Sequence, residues 1–112
     1  PEILLDEIED ESVVYNFKFT NCLIRFDDNN NNFTGANYDF NDTSKYEGNI
    51  FNAGPNFKDA DLNEMIIGDD SAANGQGLAA FSTQVPFDIL NVDRTTSPNL
   101  GAYQHITFPE ED

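Results

Sequence analysis

The stretch that most restricts the fold is "VVYNFKFTNCLIRF", residues 13–26. Tyr15, Phe17 and Phe19 alternate with Asn16, Lys18 and Thr20, a period of two that puts aromatics on one face of a strand and polar groups on the other. Thr20-Asn21 interrupts the pattern, and Cys22 to Phe26 resume it. A two-residue antiparallel hairpin prefers Asn-Gly or Asp-Gly, which supply its positive φ angles, and neither is present. A single Asn bends a chain sharply by tolerating the left-handed region. The expectation is a corner at Asn21 between two consecutive strands of a coil, with Lys18 facing outward.

Around this strand pair the chain divides by composition. Residues 1–12 carry a short apolar patch and then an acidic run, read as a strand remnant or a solvated loop; Ile3, Leu4 and Ile8 could share a helix face, but the segment is short for one. Residues 27–48 are rich in Asp, Asn, Gly and Ser and read as a long surface excursion with the four consecutive asparagines at its tip. Phe33, Tyr38, Phe40 and Tyr46 in that excursion argue against free disorder, because aromatics can pin a loop to its support. Residues 49–108 hold a short strand and Gly-Pro turn, a strand "MII" ending at Gly68, a helical turn near "GLAAF", and a last strand in "LGAYQHITF". Residues 109–112 form a solvated acidic tail. No repeat of constant period runs through the 112 residues, so at most a coil or two of a solenoid fits.

Charge removes several functions. Twenty-one acidic residues stand against five basic ones, Lys18, Arg25, Lys45, Lys58 and Arg94. Phosphate binding needs clustered Lys or Arg, so nucleic acid is excluded as a partner, and so is attraction to an anionic membrane. No run approaches the roughly 20 apolar residues of a transmembrane helix, and no signal-peptide pattern follows Pro1. Pro1 is not a natural start, so the sequence reads as processed or excised from a longer chain. Cys22 is alone and sits in an apolar run, where it behaves as a small hydrophobe rather than a nucleophile.

Chemistry-bearing constellations are few. "DADLNE" places Asp59, Asp61 and Asn63 at alternate ligand positions of a calcium loop, with Asp70 at position twelve, but Glu64 stands where that loop needs glycine and an apolar strand follows. A turn before a strand is the competing reading, which leaves only adventitious calcium binding and no cofactor. His105 is the sole histidine, so neither a His-based triad nor a multi-His zinc site can be assembled. "NFT" at 32–34 and "NDT" at 41–43 match N-glycosylation sequons of the kind an Asn-rich loop yields by chance.

The residues also fit a family pattern. "FTNCLIRF" resembles a rung of a right-handed parallel β-helix, where a corner Asn can join an asparagine ladder. From Gly54 onward the chain resembles the C-terminal end of Bacteroidetes proteins of the choice-of-anchor-Q and pectin-lyase-like group. The resemblance is carried by Pro55, Phe57 and Asp59; by Met65 and Ile67; by Ser71, Ala72, Asn74 and Gly77; by Asp88, Ile89, Asp93 and Arg94; and by Pro98 to Gln104, "PNLGAYQ". It covers about half the chain, with two departures: Asn91 where a Gly is common, and Gln104 in place of an acid.

That resemblance implies an all-β fold, namely the last coils and C-terminal closure of a parallel β-helix. Its structural residues would be Asn21 at a corner and Arg94 fixing the preceding loop by pairing with Asp88 or Asp93. Gly101 would allow close approach and Tyr103 would plug the packing. An open stack exposes backbone edges and an apolar core, and "PNLGAYQ" would cover both. The resemblance also implies a bacterial cell-surface or extracellular location, Ser71 in "DSA" as an O-glycosylation candidate, and partners among upstream coils, other surface proteins or glycans. Two functions follow from it: a non-enzymatic structural or binding module, or the end of a polysaccharide-active lyase or hydrolase whose catalytic coils lie upstream. Within these residues no catalytic set is expected. "GDD" at 68–70 resembles the polygalacturonase motif, but neighbouring aspartates on a strand face opposite ways and the other elements of that family are missing.

Overall fold

The computed structural model describes residues 2–5, 12 and 15–110. The expected acidic run at 6–11, the strand start at Val13 and Val14 and the last two tail residues lie outside them. The chain is built of short strands with little helix and separates into two compact units, Pro1–Asn52 and Ala53–Asp112.

In the first unit, β1 (Phe19–Thr20) and β2 (Leu23–Ile24) do not pair with each other. They pair in parallel with β3 (Tyr46–Glu47) and β4 (Ile50–Phe51) respectively. Every partner lies 27 residues further on, from Phe19↔Tyr46 through Leu23↔Ile50 to Ile24↔Phe51. An unbroken offset across both pairs means that the bend at 21–22 is repeated by the bend at 48–49. Asn21 takes φ 52° and Gly48 φ 66°, the left-handed geometry that turns a strand through a corner without a hairpin. The two corners lie one over the other: a Cβ on Gly48 would stand 3.0 Å from Asn21 Nδ2.

Side-chain amides tie the two levels together. Asn49 Oδ1 accepts the Cys22 N–H at 2.8 Å, and its Nδ2 donates to the Phe19 carbonyl. Asn52, at φ 59°, does the same to one residue, accepting from Phe26 N–H at 2.7 Å and donating to Phe26 O at 2.9 Å. The bridging amides are thus Asn49 and Asn52, while Asn21 provides the bend. Glu2 N–H donates to the Arg25 carbonyl at 3.0 Å, whereas Asn52 N–H takes the Ile24 carbonyl. Successive carbonyls of an extended chain face opposite edges, so residues 2–5 and β4 flank β2 on its two sides.

The core of this unit is aromatic. Ile3, Ile24, Phe26 and Tyr46 are buried, with Phe17, Phe19, Phe33, Phe40 and Phe51 packed against them. Phe19 and Tyr46, paired across the sheet, stack at 5.9 Å, and Phe40 stacks on Phe51 at 4.5 Å. The 27–48 excursion is pinned by its rings: Phe40 meets Phe26 edge-on at 5.0 Å, and the Tyr46 hydroxyl donates to Asn37 O at 2.6 Å. Its asparagine run is capped by Asp28, whose carboxylate accepts the N–H groups of Asn32 and Phe33.

The second unit is organised differently. β5 (Phe57–Asp59) and β6 (Glu64–Ile67) form an antiparallel hairpin, closed by Asn63 at φ 59° and by Asp59 Oδ1 accepting the Leu62 N–H. One helical turn follows, α1 (Ala79–Ser82). The strand expected in "LGAYQHITF" does not form: one backbone bond reaches β6, Ile106 N–H to Ile67 O, and other donors go elsewhere, Leu100 to Ala73 O and Gln104 to the Asp88 carboxylate.

Replacing Asn52 by Ala leaves both Phe26 backbone groups without their partner and puts a Cβ-bearing residue at positive φ. A loss of about 2–4 kcal/mol is expected in urea unfolding, from the two bonds and the strained corner together. Asn52→Gly should recover only the conformational part, about 1 kcal/mol.

Candidate functional site

The second unit buries polar groups where the first buries rings. Ser71, Ser82, Asp88, Asn99 and Gln104 are all buried, against Ile67, Ala73 and Pro98 among its described apolar residues. A buried polar group is tolerated when its hydrogen bonds are made, and no buried side-chain nitrogen or oxygen lacks a partner among the described residues.

Asn99 is the hub. Its Oδ1 accepts the Gly75 N–H at 2.9 Å, which fixes the amide so that Nδ2 donates to Asn74 Oδ1 and to His105 Nδ1. Asn74 in turn donates to the Gly68 and Asp69 carbonyls. An accepting Nδ1 places the His105 proton on Nε2, which lies 3.7 Å from Asp69 Oδ1. Gln104 Oε1 accepts the Asn99 N–H, and its Nε2 donates to Ser97 O. Closing the set, Asp88 Oδ1 accepts the N–H groups of Leu90 and Val92, and Oδ2 that of Gln104. Burial opposes ionisation of Asp88, but the N–H groups of Val92, Gln104 and Leu90 and the charge of Arg94 outweigh it, and its carboxyl titrates below the usual range.

This arrangement anchors backbone. The carboxylate, both amides and the imidazole Nδ1 are spent on neighbours. The residues singled out from sequence take the following places. Arg94 does secure the preceding loop, but not through Asp88 or Asp93: Nε donates to Val85 O at 3.0 Å and Nη1 to Gly101 O at 3.1 Å. Carbonyls suit a guanidinium here because Asp88 is saturated by N–H donors and Asp93 accepts from Thr95. Gly101 is required for its φ of 90°, not for close approach, since a Cβ there would meet nothing. Close approach belongs instead to Gly77, whose Cβ would lie 2.9 Å from the Pro98 carbonyl. Tyr103 is half-buried. The Ser71 hydroxyl is buried and accepts the Ala73 N–H, so it is not displayed to a glycosylating enzyme in the folded chain.

Asp59 orders its own turn, and Asp61, Asn63 and Asp70 are exposed around the hairpin and beyond it. Among the described residues no group of three or more His, Cys, Asp or Glu side chains stands close enough to hold a metal ion. The "GDD" triplet has a packing explanation. Gly68 is buried, and a Cβ on it would come within 2.2 Å of Asn56 Oδ1 and 2.5 Å of the Phe108 ring. What sequence reasoning missed is Gln104 and Asn99. Gln104 stood out only as a departure from an expected acid, and nothing in local pattern marks a residue whose partners lie in separate segments of the chain. Comparison with known proteins found no matching family model, curated protein or solved structure.

Two outcomes test this description. Asp88→Asn keeps an acceptor for Leu90 and Val92 but turns an amide N–H toward the Gln104 N–H, and should cost about 1–3 kcal/mol at neutral pH. Because the folded carboxyl titrates low, its contribution is complete above the unfolded value near 4 and is lost as pH falls through the folded one. The acid limb of the stability profile should therefore flatten in Asp88→Asn. Gly68→Ala should destabilise by about 1–3 kcal/mol by overpacking against Asn56 and Phe108, and Phe108→Ala in the same chain should relieve only part of that cost, because the contact with Asn56 Oδ1 remains.

Proposed function

We propose that this chain is the terminal part of a right-handed parallel β-helix and that its role is structural. It closes the stack and presents a surface to other cell-surface proteins or glycans. The observation that carries the reading is the constant 27-residue offset of two parallel strand pairs around a repeated left-handed corner. One coil laid on the next gives this register, and a chain that pairs only with its sequence neighbours does not. Support for the closing role comes from the second unit, where an antiparallel hairpin and side-chain bonds to backbone replace the parallel ladder. Such an element leaves no continuous strand edge for a further coil to extend. Location at a bacterial cell surface rests on the family resemblance, as does the class of partner.

A non-enzymatic role within these residues is favoured by the commitment of Asp88, Asn99, Gln104 and His105 to structural bonds. The test is intact mass and N-terminal sequencing of the natively purified protein, with thermal unfolding of residues 1–112 alone. A native chain continuing upstream of Pro1, and an isolated segment lacking a cooperative monomeric transition, are expected, because one coil cannot bury its apolar face by itself. A native chain beginning at Pro1 that melts cooperatively as a monomer would overturn the reading.

A further inference from the structure

Eleven large hydrophobic side chains are exposed among the described residues, and seven of them fall in the single stretch from Leu78 to Val92. Scattered exposed hydrophobes are ordinary, but a concentration of this kind in so acidic a chain marks a surface that is covered in use. Phe81, Val85, Phe87, Ile89, Leu90 and Val92 show between 42% and 69% of their surface to solvent.

The loop holding the last four is built to keep them outside. Phe87 and Asp93 bridge in antiparallel fashion at its base, and Asp88 N–H donates to Val92 O. The Asp88 side chain turns inward and takes the N–H groups of Leu90 and Val92, while Asn91 makes the turn at φ 66°. The one charged residue between Phe87 and Val92 is therefore the one that is buried, and Ile89 and Leu90 are held at the tip. A loop ordered in advance loses little conformational entropy on association.

We propose that this loop, with Phe81 of α1, is a docking surface for a protein partner that offers an apolar groove rimmed by Lys and Arg side chains. Charge selects that occupant. The chain carries a net charge of −16. Four of its five cations are already paired with carboxylates, Lys18 with Glu47, Arg25 with Asp27, Lys45 with Asp42 and Lys58 with Glu64. The fifth, Arg94, spends its guanidinium on backbone carbonyls. A second copy would bring a further −16 to the contact, and anionic lipid would be repelled in the same way. A basic-rimmed partner is drawn in by the long-range field and held by the apolar tip. The inference rests on the contact role proposed above and not on the solenoid, so the two stand or fall by different measurements.

The experiment uses the full chain and two synthetic helical peptides of equal charge, one alternating Leu and Lys faces, the other with Ser in place of Leu. Fluorescence anisotropy is expected to show binding of the Leu/Lys peptide and affinity weaker by about ten-fold or more for the Ser/Lys peptide. The double variant Ile89→Ser with Leu90→Ser, which changes no charge, should lose about ten-fold for the Leu/Lys peptide while the Leu90 and Val92 amides keep their protection from hydrogen exchange. Phe81→Ser, on a separate element, should weaken the same peptide if the double variant loses its fold. Equal affinity for both peptides, or unchanged binding by both variants, would reduce the attraction to charge alone and overturn the proposal. It is equally overturned by sedimentation showing a dimer that the double variant abolishes, or by binding to zwitterionic vesicles in preference to the peptide.

Discussion

The structure depends on one interaction repeated in different places: a side-chain amide or carboxylate satisfying backbone groups at a tight bend. Among the described residues, all six other than glycine with positive φ are asparagines, at positions 21, 31, 52, 56, 63 and 91. Asparagine is suited to this because its short polar side chain lowers the cost of the left-handed region and can bond locally. Asn49 and Asn52 add the second half of the job by bridging to the strand level below. The asparagine content that suggests low complexity in the sequence is, in the folded chain, a set of corners and clasps.

Two units apply that interaction against different backgrounds. In Pro1–Asn52 the corners frame an aromatic core, and parallel pairing stacks like on like, as with Phe19 over Tyr46. Rings from the long excursion enter the same cluster, which is why a segment so rich in polar residues is held in place. In Ala53–Asp112 few apolar side chains are buried, and backbone capture by Asp88, Asn99 and Gln104 does the organising. Such a network holds only while every member is satisfied, because a half-made one leaves unpaired buried groups that cost more than the bonds return.

Four paired cations and one committed guanidinium leave the acidic excess unbalanced within the chain. Exposed ion pairs of this kind contribute little to stability. Their effect is on association, since they remove the free positive charge that self-contact or anionic surfaces would need.

Much of the first unit was legible in the sequence. Alternation in residues 15–20 and the absence of a hairpin turn at Thr20-Asn21 define two strands and a left-handed corner by sterics that act within a few residues. The aromatics of 33–46 likewise announce a pinned loop. Local pattern could not say which strands would pair, because Asn49 is matched to Cys22 and Phe19 only after the 27–48 excursion has closed. The same limit explains the second unit. Arg94 was legible as a loop anchor, but not its partners, since whether a guanidinium meets a carboxylate or a carbonyl depends on what already occupies the carboxylate. Gly68 beside Phe108, and Gln104 between Asp88 and Ser97, are contacts of residues far apart in the chain. The sequence by itself determined the bends, the strand faces and the charge, which are local or additive properties. The tertiary structure alone decided the register of the parallel strand pairs and the membership of the buried network, because both depend on distant segments meeting with every donor and acceptor in place.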